Sequence, residues 1–199
     1  MLDINVSSNS SRLPANTHQT AAQQLVSRRK IRTRVGPVDF SVASVDASLE
    51  FGDGNRPGLH SDFIVPLLLL PYAAPSWTAM HGDTIGPGTP RSALIQHLTV
   101  EGAWDRWFER EQIDAKAGNE GPRYEIMSMA LNAAVAGLGV ALLPPYMVAD
   151  QVEAKRLVAM SGKAWQYPKA YYLVYPEASA GMKSLQIFRN WLLEQSRSG

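Results

Sequence analysis

Between Arg123 and Pro145 the chain reads strand, helix, strand, and this unit limits the fold more than any other feature. Arg123–Ile126 (RYEI) is a short extended run. Met127–Ala136 (MSMALNAAVA) is rich in Ala, Leu and Met, all strong helix formers, and Gly137 and Gly139 stand where a helix usually stops. Val140–Leu143 (VALL) is uninterrupted apolar sequence, which fits a strand covered on both faces, and Pro144-Pro145 ends it. A helical crossover of this kind joins parallel neighbours. The same alternation recurs along the chain. Strands are expected over Ala47–Phe51, Phe63–Leu70 passing into Tyr72–Ala74, Ala93–Leu98 and Ala170–Tyr175 (AYYLVY). Helices are expected over Ser76–Met80, around Trp104, Trp107 and Phe108 as far as Gln112, over Tyr146–Lys155 and over Met182–Gln195. In the last of these, Leu185, Phe188, Trp191 and Leu192 make one apolar stripe. Strands alternating with helices predict an α/β architecture with mostly parallel sheets.

The amino end differs. Residues 1–38 carry six Lys or Arg against the single acid Asp3, a balance of +5, while the remainder sums to −4. The first aromatic residue is Phe40. A segment so polar buries little, and most of residues 8–37 is expected to be a solvated loop. Leu2, Ile4 and Val6 alternate with polar residues and predict a short strand before it. The basic run Arg28–Arg34 lacks the interleaved aromatics of a nucleic-acid platform, and with a net charge of +1 the molecule as a whole is no polycation. No apolar run reaches the roughly 18 residues of a membrane span, and no apolar leader opens the chain. A soluble, cytoplasmic protein with no membrane partner is the expectation.

Catalytic and metal chemistry find little support. There is no cysteine, so thiolate ligands and a cysteine nucleophile are excluded. The histidines His18, His60, His81 and His97 are far apart and none forms a metal-binding pair, so neither metal nor cofactor is expected. Gly52-Asp53-Gly54 follows a strand but leads into a turn through Pro57 and Gly58, not into a phosphate-binding helix. What remains is a binding cleft. In open α/β sheets ligands sit beyond the carboxyl ends of strands. Ser128, after the strand Arg123–Ile126, and His97 with Thr99, after the strand Ala93–Leu98, occupy such places. Each has two readings: a ligand contact, or an ordinary helix cap or satisfied surface residue.

Two long stretches carry a resemblance. VDASLEFGDGNRPGL (Val45–Leu59) resembles the "VDxAIRFGDGxWPGL" segment of LysR-type transcriptional regulators, in their glycine-cleavage-activator-like branch. LNAAVAGLGVALLPPYMVADQVEAKRLV (Leu131–Val158) resembles a second conserved stretch of that family, and the tryptophan helix, Tyr171–Val174 and the final helix follow in matching order. The resemblance spans roughly residues 38–195 and implies an effector-binding domain with the type 2 periplasmic-binding-protein-like fold. Two α/β lobes would be joined by crossover strands, lobe I holding about residues 1–66 and 144–199 and lobe II about 72–140. Residues 1–37 would be a strand remnant followed by the basic polar loop.

The resemblance also implies a non-catalytic role in transcription, with a small molecule, a carboxylate or an amino acid, bound by Ser7, Ser8, His97, Thr99, Ser128 and Pro144. DNA would be met only through a winged helix-turn-helix, which these residues do not contain. The partners would be a second copy or a full-length paralogue. A stand-alone ligand- or partner-binding module that modulates full-length regulators is the alternative. Where the family has its first strand and helix, this sequence has no counterpart. Lobe I is therefore expected to be incomplete, with an open sheet position that invites marginal stability or self-association.

Overall fold

The computed structural model describes residues 2–5, 30–33, 36–114 and 120–198. They form two compact units, Met1–Leu67 with Pro168–Gly199, and Leu68–Tyr167. The chain passes between them inside two long strands, β4 (Leu59–Ala73) and β9 (Trp165–Pro176).

In the first unit the strand order is β2-β1-β3-β9-β4, where β1 is Leu2–Asn5, β2 Lys30–Thr33 and β3 Ala47–Gly52. β1 is paired on both sides and antiparallel to each neighbour: Leu2 stands opposite Thr33 of β2 and opposite Leu49 of β3. Residues 30–33, part of the segment read as solvated loop, thus supply the strand that flanks β1 on the side away from β3. Composition misleads here because it reports burial, whereas strand pairing is made by backbone N–H and C=O groups that every non-proline residue carries. Residues 6–29 and 34–35, which hold most of that loop and Val6 of the expected first strand, lie outside the described residues.

One face of this sheet packs on the helix α6 (Lys183–Ser198), which follows the short α5 (Glu177–Ala180). Ala47, Ile64, Leu173 and Tyr175 meet Leu185 and Phe188 there, with Trp191 and Leu192 partly buried against them. That is the stripe the helical spacing predicts. Two polar clamps close the unit. The buried Glu50 carboxylate accepts the Val38 N–H at 3.1 Å and pairs with the Arg56 guanidinium, which also donates to the Val38 carbonyl at 2.7 Å. On β4, Asp62 receives Arg189 in a fork, at 2.5 and 2.8 Å, and the Tyr175 hydroxyl at 2.8 Å. The Arg189 guanidinium holds the Asp62 carboxyl below its usual range, and burial pushes the Tyr175 phenol up. The clamp joins residues 62, 175 and 189, and so ties both long strands to the last helix.

In the second unit the order is β4-β7-β5-β6, with β8 on the free side of β4. The elements are α1 (Pro75–His81), β5 (Leu94–His97), α2 (Ala103–Arg110), β6 (Arg123–Tyr124), α3 (Met127–Val135), β7 (Val140–Leu143), α4 (Pro145–Glu153) and β8 (Val158–Ala159). Among the described residues β5 pairs in parallel with β6 and with β7, and β4 runs antiparallel to both β7 and β8. With the antiparallel pairs β1–β2, β1–β3 and β3–β9 of the first unit, this corrects the expectation of mostly parallel sheets. A helical crossover permits parallel neighbours without imposing them: α1, α2 and α3 all lie between β4 and β7 in the chain, yet that pair is antiparallel.

Residues 144–167, assigned to lobe I from the sequence, fall within the second compact unit. Val148 of α4 and Leu157 pack with Tyr72, Ala141 and Leu143, and β8 pairs with β4 at Tyr72 and Ala73. Proline ended the strand at Leu143 without moving the chain to another core.

Candidate functional site

The site is built from the carboxyl ends of β5 and β6. Their register sets Gln96 beside Arg123 and His97 beside Tyr124, so the residues that follow, Leu98–Thr99 and Glu125–Ile126, leave the sheet side by side. Two glycines allow this close arrangement. A Cβ at Gly121 would lie 1.9 Å from the Leu94 carbonyl oxygen, and one at Gly139 would lie 2.1 Å from that of Ala93. The sequence explained Gly139 as a helix stop, yet it is the approach to β5 that demands it. On the flank, Trp104 is 2 % exposed and its indole N–H donates to the Ile95 carbonyl at 2.9 Å, anchoring α2 to β5. Tyr167 ties the preceding turn: its hydroxyl donates to the Glu101 carbonyl at 3.2 Å and accepts from Arg106 at 3.0 Å.

From His97 the chain enters a single 3-10 turn, Leu98–Val100, and from Ile126 it enters α3. Neither start has a side-chain cap: the N-cap positions are His97 and Ile126. Ser128 and Thr99 are exposed and cap nothing, which disposes of the capping alternative for both. His97 is different. Both its ring nitrogens are shut away from water without a hydrogen-bond partner of good geometry, although the Glu125 backbone lies near enough to favour the protonated ring. Burial outweighs this and lowers its pKa, so the ring is neutral around pH 7. His97 is therefore a half-buried, neutral ring at the carboxyl end of β5.

A pH test follows. In the unfolded chain the ring titrates near its ordinary value of about 6.5, in the fold lower. As pH falls through that value the unfolded state takes up the proton first, so stability declines. Urea denaturation at pH 7.5 and 5.5 should show a smaller loss for His97→Asn than for the parent chain. Identical pH profiles would contradict the burial assigned to His97.

Of the other expected contacts, Ser7 and Ser8 lie outside the described residues. Pro144 is buried at the N-cap of α4, inside the second unit and not on a strand between units. Sequence reasoning missed the apolar rim: Leu98, Ile126 and Met129 are 39, 54 and 50 % exposed. An apolar residue at a strand end reads as core, so only the pairing of β5 with β6 reveals it. Among the described residues no group of His, Cys, Asp or Glu is placed to hold a metal, and no helix is long and apolar enough to cross a membrane.

Known proteins share this construction. The LysR substrate binding domain profile matches residues 43–197. The glycine cleavage system transcriptional activator of Escherichia coli K12 is 27 % identical over 152 residues, covering 76 % of this chain and 50 % of that protein. The HTH-type transcriptional regulator TrpI of Pseudomonas aeruginosa is 30 % identical over 138 residues, covering 68 % of this chain and 47 % of that protein. The chain thus spans about half the length of the curated relatives it matches. Among solved structures, the effector domain of the regulator AmpR of P. aeruginosa superimposes with a TM-score of 0.70 at 23 % identity, covering 81 % of this chain and 77 % of that one. The AmpR effector binding domain of Citrobacter freundii does so with a TM-score of 0.67 at 17 % identity, covering 82 % and 80 %. These structures share the fold, and the profile covers most of the chain: it belongs to the LysR substrate-binding-domain family.

Proposed function

We propose that this chain is the effector-sensing part of a LysR-type transcriptional regulator, a cytoplasmic, non-catalytic module. A small molecule bound beyond β5 and β6 changes the population of its conformations, and so the activity of the regulator. DNA contact belongs to a winged helix-turn-helix outside these residues, and the working form is an assembly of copies. One observation carries the reading: the family profile spans residues 43–197, and within that span the β5–β6 edge offers two free hydroxyls, Thr99 and Ser128, over a sheet end with no side-chain cap. That the matching relatives are regulators of transcription supports a binding role over a catalytic one. Ser7 and Ser8 are further candidate contacts.

The test is thermal melting of the chain against a metabolite collection. A compound at 100 times its Kd should stabilise by about 2.7 kcal/mol, a shift of several degrees. In the double variant T99V/S128A, two lost hydrogen bonds should weaken that compound about ten-fold or more. A variant that binds as the parent does would contradict the assignment of these hydroxyls.

A further inference from the structure

The rim around those hydroxyls has a chemical character of its own. Ile126 and Met129 are three residues apart at the start of α3 and so share one helix face, and Leu98 emerges on the neighbouring strand. Three large apolar side chains exposed together are an unusual use of surface unless something covers them. The charges nearest in sequence are Glu101 and Glu125, with Arg123 as the lone base, and all three are exposed. His97 adds none, because burial keeps its ring neutral. A carboxylate would therefore meet two acids against one base; an amine or a hydroxyl would not be repelled. The free amides in the first turn of α3 pull the other way, toward an anion, and the phenylacetate arm of the experiment below measures that pull.

We propose that the molecule sensed here is an apolar compound whose polar end is an amine or a hydroxyl, not a carboxylate. Its apolar part covers Leu98, Ile126 and Met129, and its polar end reaches Thr99 and Ser128. The inference rests on the sensing role proposed above and narrows its ligand class.

Benzyl alcohol, benzylamine and phenylacetate share one ring and differ in charge; glycine serves as the polar amino acid. Each is titrated into the full chain and followed by backbone amide NMR. Benzyl alcohol and benzylamine should shift the amides of residues 97–99 and 125–130, and phenylacetate and glycine should bind at least ten-fold more weakly. The variant I126N/M129N should lose about ten-fold of the benzylamine affinity while keeping the parent's circular dichroism spectrum. If the variant fails to fold, M129N alone is read the same way. Phenylacetate or glycine acting at these amides as strongly as benzylamine would overturn the ligand class and leave the sensing role standing. Shifts from none of the four at these amides would overturn the ligand class too, and the metabolite melting experiment would then decide the sensing role by itself.

Discussion

Trp104→Ala is expected to lower the stability of the second unit by about 3–5 kcal/mol, the range for truncating a buried large aromatic. The side chain is 2 % exposed and sits edge-on to Trp107 at 5.7 Å, and tilted against Phe108 at 5.9 Å. Truncation would leave a cavity between α2 and β5, and the Ile95 carbonyl would lose its indole donor. The two losses separate experimentally. Trp104→Phe removes the hydrogen bond but keeps most of the apolar volume, so it should cost less, about 1–3 kcal/mol. Urea denaturation followed by far-UV circular dichroism measures both. Equal losses in the two variants would show that the hydrogen bond, not the packing, ties α2 to the sheet.

Gly121→Ala is expected to cost about 3 kcal/mol, at the upper end for overpacking. The added methyl would stand 1.9 Å from the Leu94 carbonyl oxygen and 2.7 Å from its carbon, both backbone atoms that no rotamer change can move aside. Relief requires β6 to draw away from β5, which breaks the bond from the Gln96 N–H to the Pro122 carbonyl, now 2.8 Å. Gly162→Ala is the control, because nothing lies within 4 Å of a methyl there. Thermal melting should place G121A well below the parent and G162A close to it. A G121A chain as stable as G162A would mean that β5 and β6 are not held at this spacing.

Both positions show what a sequence does and does not reveal. The strand–helix–strand unit over Arg123–Leu143 was legible because composition and punctuation agree there: helix formers in one block, an apolar run in the next, glycine and proline between. The stripe Leu185–Phe188–Trp191–Leu192 was legible for the same reason of periodicity. β2 was not, since Lys30–Thr33 pairs through its backbone amid a polar segment. The unit boundary near residue 167 was hidden because β9 continues through it as one strand. At the site, the rule that ligands gather beyond strand ends led to His97, Thr99 and Ser128, which the β5–β6 register does bring to one place. It could not tell that both ring nitrogens of His97 would be shut away from water, nor that Leu98, Ile126 and Met129 would be exposed, because exposure depends on neighbours far along the chain.

The most direct measurement is a crystal structure of the chain grown with the compound that raises its melting temperature most. Ordered density against Thr99 and Ser128, with its apolar part on Leu98, Ile126 and Met129, is the expected result. Density confined to another part of the molecule, such as the groove on α6 lined by Lys183, Gln186, Asn190 and Glu194, would contradict the placement of the sensing site.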